Sequence, residues 1–253
     1  MKATPEQAGS RAAEPPGRAR RYRWLLFDAD GTLFDYDRAE AAALQQTFEQ
    51  IGAPFRPEHL TEYRQINQSL WHAVERGDLA PEILKVQRFE LMLAAVNVTH
   101  PPADFSERYL GCLAECSQLV DGAEEVVRQL RQNHQLAIVT NGLQKVQRGR
   151  LARSTVRDCF AHLIISEEIG CAKPAKEFFD VAFERLGQPQ RNEVLMVGDN
   201  WNSDITGAAR YGLDTCWFNP ARLPRPATPE ITVEITEWGE LATFLRRGNS
   251  APG

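Results

Sequence analysis

Residues 24–33 read Trp24-Leu25-Leu26-Phe27-Asp28-Ala29-Asp30-Gly31-Thr32-Leu33, an apolar run followed by two aspartates and a glycine. An apolar run of this length is typical of a strand buried in a parallel sheet. Carboxylates at its end are costly to remove from water unless a cation or hydrogen bonds compensate them, and Mg²⁺ suits an oxygen-rich site. The same letters also fit an Asp-Gly turn whose acids cap the next helix, so this stretch alone leaves both interpretations open.

Three further motifs lie downstream and narrow the choice. They are Val139-Thr140-Asn141-Gly142, Ala172-Lys173-Pro174 and Gly198-Asp199-Asn200-Trp201-Asn202-Ser203-Asp204. The first and last begin where the apolar runs 136–139 and 194–197 end, and Lys173 stands just before a helical pattern. Because ligands bind beyond the carboxyl ends of the strands in an open α/β sheet, the motifs are predicted to converge on one site. Each motif is weak alone, whereas the ordered set is a strong signal.

With these motifs in this order, the chain resembles the phosphatase branch of the haloacid dehalogenase superfamily. The resemblance implies that Asp28 attacks phosphorus to form an aspartyl-phosphate. Asp30 would protonate the leaving oxygen and then deprotonate the attacking water. The implied cofactor is Mg²⁺, with Mn²⁺ as an alternative, held by Asp28, the backbone carbonyl of Asp30, and Asp199.

The resemblance also implies roles for the remaining motif residues. Thr140 and the backbone N–H of Asn141 would hold phosphoryl oxygens, and Lys173 would balance the negative charge around Asp28. Asp204 would orient the metal site as an outer or water-mediated partner. The alternative for Asp204 is an acid at a helix N-terminus that is favoured only by the helix dipole.

Residues 164–174, 194–204 and 215–219 carry a narrower resemblance, to the pyrimidine 5′-nucleotidase branch, which dephosphorylates nucleoside monophosphates, including modified pyrimidines. This resemblance covers about residues 23–244. Gly31 departs from it, since many members of that branch carry Glu at this position. Trp71, Phe34 and Phe89 are candidates for stacking a base, although core packing is the favoured interpretation for each.

The chain changes character along its length. Residues 38–118 show only helical patterns, including a helix marked by Leu84, Phe89, Leu91, Leu93 and Val96. From residue 121 helices alternate with strands, predicted at 136–139, 163–166, 194–197 and 215–218, before a last short strand and a C-terminal helix. The predicted fold class is α/β, a doubly wound, Rossmann-like, mainly parallel sheet interrupted after its first strand by an all-helical cap.

The predicted organisation has four parts. Residues 1–21 form a disordered N-terminal extension, 22–36 and 119–248 the α/β core, 37–118 the cap, and 249–253 a flexible tail. The cap hinges are predicted near 34–37 and 119–122, where Gly122 allows backbone rotation.

Composition agrees with a soluble cytoplasmic enzyme. The 253 residues are 43% hydrophobic, enough for a full core, and the formal charge of −5 offers no general attraction to nucleic acid or anionic membrane. No run approaches a membrane span or a secretory signal. The expected partner is a small phosphomonoester, and the oligomeric state stays open. The odd number of cysteines favours free thiols, and no second ligand pair completes a zinc site with Cys112 and Cys116.

Other activities of the superfamily are weighed by the same residues. A dehalogenase needs neither metal nor second acid, so Asp30 and Asp199 argue against it. A phosphonate hydrolase needs a cap lysine, and Lys85, the only lysine between Asp28 and Thr140, is poorly placed. The core motifs do not distinguish a sugar-phosphate phosphatase or phosphomutase from a nucleotidase. A catalytically silent phosphate-binding module would have little reason to keep both Asp30 and Lys173.

Overall fold

The computed structural model describes residues 22–249, in which six parallel strands form one sheet in the order β3-β2-β1-β4-β5-β6. The strands are β1 Trp24–Phe27, β2 Gln135–Thr140, β3 His162–Ile165, β4 Val194–Gly198, β5 Asp214–Phe218 and β6 Val233–Ile235. All the predicted strands are confirmed. Ser166 is the one residue of a predicted strand that lies outside the observed strands, because it begins the short helix that follows β3.

Helices cover both faces of this sheet. They are α5 Ala123–Leu130, α6 Gln144–Arg153, α7 Ser166–Ile169, α8 Lys176–Arg185, α9 Gly207–Tyr211 and α10 Trp238–Asn249, with a π-helical turn Trp201–Thr206 before α9. Leu25 and Phe27 of β1 pack in the hydrophobic cluster that contains residues of α5 and α10. Trp24 and Leu26 pack in the cluster that contains residues of α8 and α9. This alternation along one strand confirms the predicted doubly wound α/β core.

The predicted insertion after β1 is all-helical and consists of four helices: α1 Tyr36–Gln50, α2 Pro57–Glu75, α3 Pro81–Ala95 and α4 Pro102–Glu115. Proline opens the last three, where its missing N–H costs no helical hydrogen bond. The four helices share an aromatic cluster of their own that includes Phe48, Tyr63, Phe89, Phe105 and Tyr109. We call these four helices the cap.

The helix predicted from Leu84, Phe89, Leu91, Leu93 and Val96 is α3, which ends one residue before Val96. Leu91 on this helix is 44% exposed. The buried side of α3 is formed by Leu84, Arg88, Phe89, Met92 and Leu93. Leu91 lies about 100° round the helix from Met92, outside the centre of that buried face.

The two segments that join the cap to the sheet run side by side. Phe34 forms backbone bridges to both Asp30 and Leu119, and Val120 N–H donates to the carbonyl of Leu33. The predicted extension, 1–21, and residues 250–253 of the predicted tail lie outside the described residues. Within the described part, no helix combines the length and apolar character needed to cross a membrane. All five cysteines are free thiols, as predicted.

Candidate active site

The motif residues meet at the carboxyl edge of the sheet. Asp28 follows β1, Thr140 ends β2 and Asp199 follows β4, and β1 lies between the other two strands. Above them is a cavity of about 480 Å³, lined on the sheet side by Asp28, Asp30, Thr140, Asn141, Gly142, Asp199 and Asn200. The cap supplies the opposite wall. The sequence-predicted residues are therefore brought together at one site between sheet and cap.

Lys173 lies below the cavity floor and is 1% exposed. Its ammonium donates to Asp28 Oδ1 at 2.6 Å, to Asp204 Oδ1 at 2.6 Å and to the carbonyl of Val139 at 2.7 Å. Burial alone would lower the pKa of Lys173, but the charges of Asp204 and Asp28 outweigh it and raise the pKa above its usual value. Lys173 is consequently a fixed cation that joins two of the motif acids.

Three carboxylates form an acidic group around this cation. Oxygens of Asp28, Asp199 and Asp204 all lie within 4.8 Å of one another. Burial, which the charge of Lys173 only partly offsets, raises the pKa of Asp28. Burial, followed by the charge of Asp204, raises the pKa of Asp199 to about 7. Negative charge is thus in excess of the positive charge that contacts it.

Asp199 is held against the turn that follows Asp30. Thr32 Oγ1 donates to Asp199 Oδ1 at 2.8 Å and accepts from the Asp199 backbone N–H at 3.0 Å. Gly31 has φ +79°, and a Cβ built on it would lie 2.6 Å from Asp199 Oδ2. The glycine therefore lets the carboxylate lie directly against the turn.

Asp204 lies in the π-helical turn and is fully buried. Beyond Lys173, its carboxylate accepts from the Asn200 backbone N–H at 3.1 Å and from Ser203 Oγ at 3.3 Å. A Cβ on Gly198 would lie 2.3 Å from Asp204 Oδ2, so this carboxylate packs on bare backbone. Asp204 lies in the first turn of a helical segment, as the helix-dipole alternative requires. Its carboxylate also lies in the acidic group with Asp28 and Asp199.

Asn141 makes a contact that the sequence did not suggest. Its side-chain Nδ2 donates to the carbonyl of Lys173, and its Oδ1 accepts from the Lys173 backbone N–H, each at 2.8 Å. The neighbouring Thr140 hydroxyl is buried and accepts from the Gly142 backbone N–H at 3.0 Å. The Asn141 side chain thus fixes the loop that carries Lys173 to the end of β2.

Asp30 also has partners that the sequence analysis missed. Gln147 Nε2 donates to Asp30 Oδ2 at 2.6 Å, and Arg150 Nη1 donates to Asp30 Oδ1. Both donors belong to α6. Gln147 and Arg150 are three residues apart and therefore lie on one face of α6. Both are more than a hundred residues from Asp30 in the sequence, so the sequence contains no local signal for the contact. The Asp30 side chain lies outside the acidic group of Asp28, Asp199 and Asp204.

The cap wall of the cavity is polar and aromatic. It contains Tyr36, Glu40, Asn67, Trp71 and Arg88. Arg88 is 2% exposed, and its Nη1 donates to Tyr63 Oη at 3.2 Å and to Asn67 Oδ1 at 3.1 Å. Its Nε and Nη2 have no hydrogen-bond partner among the described residues. Arg88 is therefore a buried cation whose donors are only partly used.

The aromatic candidates for base stacking separate clearly. Phe34 packs in the sheet core and Phe89 in the cap cluster, where it stacks on Tyr63 at 5.4 Å between ring centroids. Neither lines the cavity, whereas Trp71 does. Core packing is thus the role of two of the three, as the sequence favoured, and Trp71 alone remains available to a ligand.

Comparison with known proteins agrees with this arrangement. A family model described as haloacid dehalogenase-like hydrolase matches residues 22–212. The HAD-hydrolase YfnB of Bacillus subtilis (strain 168) is 38% identical over 91% of this chain and 98% of its own length. Its crystal structure, bound to magnesium, has a TM-score of 0.84 and covers 89% of this chain and 99% of that chain.

Two relatives carry the name pyrimidine 5′-nucleotidase. YjjG of Escherichia coli (strain K12) is 36% identical over 89% of this chain and 98% of its own length. PynA of Streptococcus pneumoniae (strain ATCC BAA-255 / R6) is 30% identical over 88% of this chain and 95% of its own length. Together with the family model, these matches show that the chain belongs to the haloacid dehalogenase-like hydrolases.

Proposed function

We propose that this protein is a Mg²⁺-dependent phosphomonoesterase that forms an aspartyl-phosphate on Asp28 and acts on pyrimidine nucleoside 5′-monophosphates. The observation that carries the proposal is the ion pair of Asp28 with Lys173 on the floor of a cavity that Asp30 also lines. The two relatives named pyrimidine 5′-nucleotidase support the substrate class.

The acidic group suits a hard divalent cation. Its three carboxylates lie within 4.8 Å of one another, and Lys173 neutralises only part of their charge. His and Cys are absent from this group, so its donors are the oxygens that Mg²⁺ prefers, with Mn²⁺ as the alternative. Asp28, Asp199 and the backbone carbonyl of Asp30 would hold the metal, with Asp204 behind them. Bound Mg²⁺ would offset the charge that gathers as phosphate approaches Asp28.

The residues of the chain divide the reaction into two displacements. In the first, a carboxylate oxygen of Asp28 bonds to phosphorus, the ester P–O bond breaks, and Asp30 gives its proton to the leaving oxygen. In the second, water bonds to phosphorus, the bond to Asp28 breaks, and Asp30 takes the proton of the water. Lys173 holds Asp28 in place, while Thr140 and the Asn141 N–H hold phosphoryl oxygens.

The cavity supports a small substrate with a flat polar ring. Its volume of about 480 Å³ lies in the usual range for small-molecule sites. The cap helices, proposed here to span 37–118, roof it and leave little access to a polymer. Trp71 offers an aromatic face, and Arg88 places a positive charge on the cavity wall that would attract the carbonyl oxygens of a pyrimidine. A purine does not present the same acceptors and should be a poorer substrate.

A sugar-phosphate phosphatase is the second candidate. Glu40, Asn67 and Arg88 on the cap wall could bind hydroxyl groups as well as a base. The aromatic face of Trp71 favours the nucleotidase, because a sugar phosphate without a base gains little from stacking on it.

A substrate panel tests the proposed function. Pyrimidine and purine nucleoside 5′-monophosphates, hexose and triose phosphates and p-nitrophenyl phosphate are compared by kcat/KM, with Mg²⁺ and with excess chelator. We expect the highest value for a pyrimidine monophosphate, and no turnover in chelator or with Asp28→Asn. A higher value for a sugar phosphate would support the second candidate, and absence of any turnover would indicate a silent binding module.

A further inference from the structure

The Asp30 carboxylate is bound by side chains of α6 and also lines the cavity. Its two oxygens accept hydrogen bonds from different side chains of α6, Oδ2 from Gln147 and Oδ1 from Arg150. The Asp30 side chain is still 28% exposed, toward the cavity that it lines. A carboxylate gripped at both oxygens has its plane fixed, so the direction of its remaining lone pairs is set by α6.

Arg150 is itself fixed by the two connections of the cap. The side chain is 0% exposed, and its Cζ lies 4.7 Å from the centroid of the Phe34 ring. Its Nε donates to the carbonyl of Cys116 at 2.9 Å. Phe34 belongs to the segment that leads from β1 into the cap, and Cys116 directly follows α4, where the cap ends. One guanidinium therefore joins Asp30 to both connections.

Two glycines make this arrangement possible. A Cβ on Gly142 would lie 2.2 Å from Gln147 Nε2, so the glycine of the Thr-Asn-Gly motif makes room for the amide. A Cβ on Gly149 would lie 2.8 Å from Ala114 Cβ, so α6 and α4 pack closely beside Arg150. The position of Arg150 consequently depends on how α4 lies on α6.

We propose that Arg150 and Gln147 are positioning residues that orient Asp30 to accept the proton of the attacking water. The inference rests on the proposed phosphatase function. In this step the water oxygen bonds to phosphorus, Asp28 leaves as a carboxylate, and the proton moves to Asp30. Both partners of Asp30 are N–H donors, so each carboxylate oxygen accepts one hydrogen bond and keeps a lone pair for the water proton. The base is aligned when the end of α4 is seated on α6.

Kinetics with p-nitrophenyl phosphate isolate this step. Nitrophenolate leaves without needing a proton, so kcat/KM reports formation of the aspartyl-phosphate, whereas kcat also includes its hydrolysis. For Arg150→Met and Gln147→Met we expect kcat and KM to fall together by about 10- to 100-fold, less than the roughly 100- to 10,000-fold that a positioned base itself contributes, because Asp30 is retained and only misdirected. The ratio kcat/KM should stay within about threefold, with a burst of nitrophenol near one per active site.

Matched controls come from the same helix. Arg153→Met and Gln144→Met change exposed residues of α6 and should leave both constants unchanged. Gln147→Met also covers the case in which Arg150→Met does not fold. It removes one donor to Asp30 together with Gln147 Oε1, which is buried and has no partner among the described residues.

A double-variant cycle separates positioning from a structural role. If Arg150 acts through Asp30, Arg150→Met should lower kcat no further in an Asp30→Asn background. An additive loss, or equal falls in kcat and kcat/KM without a burst, would overturn the proposal. Absence of phosphatase activity in the unmodified protein would instead overturn the proposed function, so the two failures are distinguishable.

Discussion

Asn141 and Lys173 are joined directly by hydrogen bonds, although they lie 32 residues apart in the chain. The sequence places both residues at the phosphate site, through the Asn141 backbone and the Lys173 charge. In the structure the Asn141 side chain grips the Lys173 backbone with two hydrogen bonds of 2.8 Å. This pair of side chains therefore serves the placement of the cation as well as any contact with phosphate.

Asn141→Ala should weaken both stability and catalysis. Losing two partly buried hydrogen bonds costs about 1–3 kcal/mol in unfolding free energy. Lys173 should also lose its alignment with Asp28, so we expect kcat/KM to fall at least about tenfold. Denaturant unfolding and steady-state kinetics measure the two effects. The control is Asn133→Ala, at an exposed position. An unchanged kcat/KM for Asn141→Ala would show that the contact does not place Lys173.

The raised pKa of Asp199 predicts how Mg²⁺ binding depends on pH. Its folded-state pKa of about 7 lies above the unfolded value, so the metal-free folded state keeps a proton that the unfolded chain has lost. The stability of the metal-free protein should therefore fall as the pH rises from about 4 to about 7. Mg²⁺ needs the ionised carboxylate, so it should raise Tm more at about pH 8 than at about pH 5.

Thermal unfolding with and without Mg²⁺ at both pH values measures this difference. Asp199→Asn serves as the comparison, since it should lose the Mg²⁺-induced rise in Tm at both. Equal rises at the two pH values, or a rise that survives in Asp199→Asn, would contradict the assignment of Asp199 to the metal.

At the scale of elements, the contact between α4 and α6 sets the position of the cap. Gly149 allows it, because a Cβ there would lie 2.8 Å from Ala114 Cβ and 2.9 Å from the Ala114 carbonyl. Gly149→Ala should therefore lower Tm, since overpacking costs about 1–3 kcal/mol. Gly111→Ala on α4 is the matched control: nothing lies within 4 Å of its Cβ, and alanine should stabilise the helix. A higher Tm for Gly149→Ala would show that the two helices readily move apart.

Helix α3 supplies the test of substrate discrimination. Arg88 is buried and donates to Tyr63 and Asn67, so Arg88→Met should lower the free energy of unfolding by about 1–3 kcal/mol. If its donors meet the base, KM for a pyrimidine monophosphate should rise by about 10-fold or more, and KM for ribose 5-phosphate should change little. The control is Arg108→Met, at an exposed cap position. Equal rises in KM for both substrates would place Arg88 near the phosphate instead of the base.

At the scale of the whole molecule, the fold was largely predictable from the sequence, whereas the side chains that hold the site residues in place were not. Apolar runs ending in Asp28, Thr140 and Asp199 predict buried strands with acids and hydroxyls at one edge, because both signals are local in the chain. The partners of Asp30 are not predictable in this way, since Arg150 lies 120 residues away and reaches Asp30 only once α6 packs against α4. The exposure of Leu91 on α3 was not predictable either, because helical spacing alone does not locate the centre of a buried face.

The proposed mechanism requires Asp28 to carry the phosphoryl group during hydrolysis of a pyrimidine monophosphate. The most direct test is to quench the Mg²⁺-loaded protein during turnover of UMP, reduce any acyl phosphate with borohydride, and map the product by mass spectrometry. We expect residue 28 to be converted from aspartate to homoserine, and this conversion to be absent with chelator or with Asp28→Asn. Release of uridine and phosphate without modification at residue 28, or with modification at another carboxylate, would contradict the assignment of Asp28 as the nucleophile.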